Sequence, residues 1–228
     1  MAAKAASESD IPVYVATDDD RIAAEATRAG ANIIMTSTAC RNGTERVAEA
    51  VKKAGITAEI VVNLQGDAPL TPPHFIGALI KAMREDQNCR MSTPFLRCDE
   101  ETVGNLLADR KAGRVGATTV VADRNQSALY FSKEVIPFTN GKGVVNGVVP
   151  VFHHVGVYAY RPSALSDYLE WKPGPLEVLE GLEQLRFLEN ACPIKMVEVT
   201  APGAVFWELN NPNDLPRIES YLHRMGWE

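Results

Sequence analysis

Three polar clusters in this sequence carry residue types that can do chemistry. In Asn63-Leu64-Gln65-Gly66-Asp67-Ala68-Pro69 a carboxylate follows a glycine and precedes a proline, directly after an apolar run. Glycine permits a sharp turn there, and a carboxylate presented at a strand end suits a divalent metal. It suits equally the capping of the turn that follows. In Arg41-Asn42-Gly43-Thr44-Glu45-Arg46 a loop runs into a helix start, where free backbone N–H groups, a hydroxyl and guanidinium groups favour an anion or nucleotide. The plain alternative is a solvated cap with a Glu–Arg surface pair. The third cluster lies in the second half. Strand alternation puts His154, Gly156 and Tyr158 on one face, an imidazole and a phenol with room between them. A strand histidine is otherwise a satisfied core group. Glu183 and Gln184 set a carboxylate beside an amide, which suits polyol recognition because each sugar O–H needs an acceptor and a donor. Glu183 also fits a surface position at the margin of an apolar stripe. Asn210-Asn211-Pro212 reads as a helix cap with proline at the first helical position.

The elements that must position these groups alternate. Residues 12–17 form a short β-branched run, and the Asp18-Asp19-Asp20 that follows suits a helix start. Strands are expected at 32–36, 59–64 and 90–96, with helices at 44–54 and along Phe75, Ile76, Leu79, Ile80 and Met83. This order predicts an α/β fold with a mostly parallel open sheet and helices on both faces. In such sheets ligands sit at the carboxyl ends of strands, positions that all three clusters are expected to occupy. The second half predicts a helix at 101–107, a hairpin from strands 117–122 and 127–132, and a strand over 148–160. Helices at 162–169 and 176–188, a strand at 193–199 and a terminal helix complete it. The hairpin reads as an oligomerisation flap. Residues 1–10 read as a disordered lead-in, and 11–228 as one domain without a composition break.

Composition narrows the class. The chain has 228 residues, 46% hydrophobic and 23% charged, enough apolar material for a substantial core. No run reaches the roughly 18–20 apolar residues of a membrane span. The four cysteines form no CxxC pair, which speaks against a zinc site or disulfide framework. A net charge of −6 disfavours nucleic acid as a partner. Anions must therefore be handled by a few placed cations or a metal.

Taken in order, these segments resemble the 3-deoxy-manno-octulosonate (Kdo) cytidylyltransferases. The likeness is carried by Val15-Ala16-Thr17-Asp18, Gly43-Thr44-Glu45-Arg46, the 63–69 segment, Ala128-Leu129-Tyr130-Phe131-Ser132, Ile136-Pro137, residues 154–161, Pro175-Leu176-Glu177, residues 182–186 and Asn211-Pro212-Asn213-Asp214-Leu215. The resemblance implies a nucleotide-diphospho-sugar transferase (Rossmann-like) fold, a cytoplasmic homodimer, and a Mg2+-dependent reaction. In that reaction the Kdo anomeric hydroxyl attacks the α-phosphate of CTP, giving CMP-Kdo and pyrophosphate for lipopolysaccharide. It implies that Asp67 is the catalytic metal ligand, with Asn210 standing where the family has a second metal-binding Asp. Gln65, Gly66, His154, Tyr158, Glu183 and Gln184 are implied for the sugar acid, and Thr44 and Arg46 for the nucleotide side. The family opens with a strand, an Arg- and Leu-Pro-Gly-Lys-Pro-bearing loop and a helix, which this sequence lacks, Ile11 aligning with the second strand. Relatives place that first strand in mid-sheet, so its absence bears on both fold and CTP binding, and little pyrophosphate release is expected of the chain as it stands. A non-catalytic homologue that binds a sugar acid or pairs with a complete subunit, and a transferase for a related acidic sugar, are the other readings.

Overall fold

The computed structural model describes residues 11–200 apart from 69, 116 and 142, together with positions 215, 216, 219 and 223. The expected lead-in at 1–10 and Asn210 lie outside the described residues, as does most of the terminal segment.

The chain begins with β1 (Tyr14–Thr17), α1 (Asp20–Arg28) and β2 (Asn32–Met35). Asp19 caps α1, its carboxylate accepting from Arg21 N, so the acidic triplet does start a helix. Next come α2 (Gly43–Lys53), β3 (Val61–Leu64), α3 (Pro73–Glu85) and β4 (Met91–Arg97). Asn42 caps α2 by accepting from Glu45 N. The second half supplies α4 (Glu100–Lys111), β5 (Thr119–Ala122), β6 (Ala128–Ser132), β7 (Phe152–His154), β8 (Val157–Tyr160), α5 (Pro162–Glu170), α6 (Pro175–Glu180), α7 (Leu185–Glu189) and β9 (Lys195–Glu198).

The α/β class holds, but the sheet is mostly antiparallel. β1 and β2 pair in parallel as a sheet of their own. The larger sheet runs β3-β8-β4-β7-β5-β6, with β9 parallel to β4. Every other pairing in it is antiparallel. The cause is the segment carrying β7 and β8: it returns against β4 in the opposite direction, with β8 wedged against β3 and β7 against β5. Parallel βαβ order in the first half therefore does not become parallel neighbours, because a later strand inserts between β3 and β4. No described strand joins β1–β2 to β3.

Two further expectations are corrected. The strand expected over 148–160 begins only at Phe152 and breaks at Val155 and Gly156. The single helix expected over 176–188 is two, separated at Gly181, whose φ of 61° is left-handed and ends α6. The expected hairpin forms from β5 and β6 at one edge of the large sheet.

The core fills both faces of the large sheet. On one side Phe75, Leu79 and Met83 of α3 pack against Val157 and Ala159. On the other, Tyr158, Tyr160, Leu165, Tyr168, Leu185 and Phe187 join α2, α5 and α7 to the strands. α2 also packs on β1 and β2, so it spans the two sheets. No helix among the described residues is long and apolar enough to cross a membrane.

Candidate active site

The C-terminal end of β3, the N-terminus of α2, the β7–β8 break and the α6–α7 turn converge on one cleft of about 830 Å³. Gln65, Asp67, His154, Gly156, Tyr158, Glu183 and Gln184 all line it. Residues more than a hundred positions apart are thus brought together, as the strand-end argument requires. Gly66, beside them, is exposed in the turn after β3.

Glu183 holds the centre. Its Oε1 accepts from Gln65 Nε2 at 2.6 Å and its Oε2 from the Thr44 backbone N–H at 2.6 Å. Burial pushes its carboxyl above the ordinary glutamate value, while the hydrogen bonds from Thr44 and Gln65 pull the other way. Gly43 makes this closure possible: a Cβ there would lie 2.8 Å from Gln65 Nε2 and 3.5 Å from Glu183 Oε1. Tyr168 reinforces the turn, its hydroxyl donating to the Glu183 carbonyl at 3.2 Å and accepting from Asn42 Nδ2 at 3.0 Å.

Gln184 is buried, and its Oε1 accepts from the Tyr158 hydroxyl at 3.3 Å. Its Nε2 is buried without a hydrogen-bond partner among the described residues. Leaving such a donor unpaired costs about 1–3 kcal/mol, which a ligand oxygen in the cleft would recover. His154 sits 5.6 Å from the Tyr158 ring, centroid to centroid, and 4.9 Å from Phe131. Its Nε2 is 2.9 Å from Thr93 Oγ1. Burial, then the neighbouring His153, pushes its pKa down to about 3, so the ring is neutral. The break at Val155 and Gly156 leaves His154 and Tyr158 facing the same cleft, as alternation predicts.

The two residues assigned to the nucleotide side do not line the cleft. Thr44 is fully buried, its hydroxyl 2.8 Å from the Tyr160 hydroxyl. Arg46 reaches the ends of β1 and β2, donating to Thr36 Oγ1 at 2.7 Å and pairing with Asp18 at 3.2 Å. Sequence reasoning missed the ion network behind the cleft. Arg186 donates both arms of its guanidinium to Glu177 at 2.6 Å and a third bond to Glu45 at 3.0 Å, with its plane 4.0 Å from the Tyr168 centroid. Arg41 completes it, pairing with Glu45 at 2.6 Å. The signal was present in two charged residues, Glu177 and Arg186, amid helical apolar periodicity, where a buried pair is the economical solution.

Asp67 is exposed in the cleft. Among the described residues no group of three His, Cys, Asp or Glu side chains could hold a metal. A single carboxylate still fits Mg2+, which is commonly held by one or two carboxylates with waters and substrate phosphates filling the rest.

The strand-end carboxylate of Asp67 and the amide, hydroxyl and imidazole groups around Glu183 thus meet in one cleft of an α/β scaffold. The family profile for cytidylyltransferases matches residues 1–196, and the chain belongs to that family. A 3-deoxy-manno-octulosonate cytidylyltransferase of Maricaulis maris (strain MCS10) is 41% identical over 214 residues, covering 94% of this chain and 82% of the relative. One from Chlamydia abortus is 37% identical over 216 residues, covering 95% and 79%. The solved structure of a CMP:2-keto-3-deoxy-manno-octonic acid synthetase complexed with CTP aligns with a TM-score of 0.78 and 30% identity over 93% of this chain and 81% of that one. Within the cytidylyltransferases, the chain is thus a member of the 3-deoxy-manno-octulosonate group. A 4-diphosphocytidyl-2C-methyl-D-erythritol synthase from Anaerococcus prevotii, at TM-score 0.53 and 14% identity, shares the fold.

Proposed function

We propose that this chain activates Kdo with CTP, forming CMP-Kdo and pyrophosphate for lipopolysaccharide synthesis. The observation that carries this reading is the convergence of Gln65, Asp67, His154, Tyr158, Glu183 and Gln184 on one cleft. A relative whose solved structure aligns at a TM-score of 0.78 was complexed with CTP, and the similar sequences are named for 3-deoxy-manno-octulosonate.

The chemistry is a displacement at phosphorus: the anomeric oxygen of Kdo bonds to the α-phosphorus as the bond to pyrophosphate breaks. The residues of the chain bind and orient. Gln65, with its N–H group committed to Glu183, offers its carbonyl oxygen to a sugar hydroxyl. Gln184 offers the converse, a buried N–H without a partner among the described residues. A donor and an acceptor fixed in one cleft hold a polyol in one pose, and positioning is the larger part of phosphoryl-transfer catalysis. Mg2+ held by Asp67 would neutralise charge on the α-phosphate and attacking oxygen. Asn210 is its proposed second ligand. Thr44 and Arg46 act from behind the cleft, the Thr44 N–H holding the Glu183 carboxylate and Arg46 tying α2 to Thr36 and Asp18; Gly66 is exposed beside Asp67.

The same reading includes a homodimer in the cytoplasm. Leu129 of β6, Phe138, and Val178 and Leu179 of α6 expose large apolar side chains, a surface that a second copy would cover. Light scattering giving twice the chain mass supports this, and a monomer at micromolar concentration contradicts it.

The test of activity is incubation with CTP, Kdo and Mg2+ and detection of CMP-Kdo by mass. Product that disappears in Asp67→Ala supports the assignment. Product formed equally by Asp67→Ala, or failure of the chain to bind Kdo at all, overturns it.

A further inference from the structure

We infer that Tyr168 is a positioning residue for sugar binding: through one hydroxyl it joins the cap of α2 to the Glu183 turn and so sets the Glu183 carboxylate in the cleft. The inference rests on the sugar-acid reading above and names a group that acts on that site from outside it. Tyr168 lies in α5, is fully buried and is not among the residues that line the cleft. Its phenol oxygen stands between two groups far apart in the chain, Asn42 Nδ2 at 3.0 Å and the Glu183 carbonyl at 3.2 Å.

The direction of this relay is fixed. Asn42 Oδ1 accepts from Glu45 N at 2.9 Å as the cap of α2, so the other end of that amide, an N–H donor, faces the phenol. A phenol has a single proton, and with its oxygen accepting from Asn42 that proton goes to the Glu183 carbonyl. The ring is held as firmly as the hydroxyl: the Arg186 guanidinium lies 4.0 Å from its centroid and the Phe187 ring 5.0 Å. The relay sets the approach of two elements. The first turn of α2 offers the Thr44 N–H, and the turn before α7 carries the carboxylate that this N–H meets at 2.6 Å. Tyr160 anchors the same α2 turn from the strand side, its hydroxyl 2.8 Å from Thr44 Oγ1. Gln184, in contrast, has its own tie to Tyr158. The effect of Tyr168 on a bound sugar therefore passes through Glu183.

The test is calorimetric binding of Kdo to the intact chain, to Tyr168→Phe, to Asn42→Ser, and to Glu183→Ala with and without Tyr168→Phe. Tyr168→Phe keeps the ring against Arg186 and Phe187 and removes only the hydroxyl, so the thermal midpoint should change little. The expected result is a loss of about tenfold in Kdo affinity, within the cost of a misplaced binding group. Asn42→Ser keeps a capping oxygen for α2 but is too short to reach the phenol, and a similar loss is expected. In the Glu183→Ala chain, Tyr168→Phe should cost less than about twofold, since the group it acts through is gone. Tyr168→Phe binding Kdo as tightly as the unaltered chain overturns the inference and leaves the sugar-acid reading standing. An undiminished loss on top of Glu183→Ala also overturns it, since it marks general damage to the site rather than a misplaced carboxylate. An unaltered chain that binds no Kdo overturns the sugar-acid reading, and this inference with it.

Discussion

Gly43 is where sequence and chemistry meet most closely. Its missing side chain lets Gln65 approach Glu183, and the hydrogen bond between them fixes the acceptor face of the cleft. Gly43→Ala is expected to push Gln65 aside and weaken Kdo binding about tenfold to a hundredfold, the scale of an ångström misplacement. Titration calorimetry alongside a thermal melt checks this, because the fold should survive with little change in midpoint. Much of this scale is legible in the sequence. Gln65, Asp67, His154, Tyr158, Glu183 and Gln184 are all named by residue type, strand alternation and likeness to a family, and all meet in one cleft. Thr44 is legible as a helix-start hydroxyl, but not as a buried partner of Tyr160.

At the scale of elements, the Arg186 network joins α2, α6 and α7 behind the site. Arg186 is 1% exposed, and the carboxylates of Glu45 and Glu177 face it from two different helices. Removing one member leaves the others charged and buried, which costs about 3–5 kcal/mol. Arg186→Met is therefore expected to lower the denaturation midpoint by an amount equivalent to roughly 3 kcal/mol in urea unfolding. A loss below ~1 kcal/mol would show that water or Arg41 replaces the tie. Element types are largely readable from periodicity, whereas strand pairing is not. The inserted β8 lies between β3 and β4, and a local pattern carries no information about a neighbour a hundred residues away. The same limit explains the split at Gly181: apolar spacing continues across the break, and only the left-handed glycine reveals it.

At the scale of the whole molecule, acid sensitivity follows from the buried imidazoles. Burial pushes His153 down to about 4 and His154 to about 3, from an unfolded value near 6.5. Between about pH 6.5 and these folded values the unfolded chain binds more protons, so stability falls as pH is lowered through that window. Melting temperature should drop from pH 6.5 to 4, and His154→Gln, which keeps a hydrogen-bonding group for Thr93, should reduce the slope. An unchanged slope in that variant would remove His154 from the account of acid sensitivity.

The proposed role of Asp67 is to hold a divalent cation that gathers two anions in one cleft. Mn2+ in place of Mg2+ tests it through paramagnetic broadening of the proton resonances of Kdo in the presence of the chain and CTP. The expected result is selective broadening of the C3 protons nearest the anomeric carbon, abolished in Asp67→Asn while Kdo still binds. Equal broadening in Asp67→Asn, or none in the unaltered chain with Kdo bound, would contradict the claim.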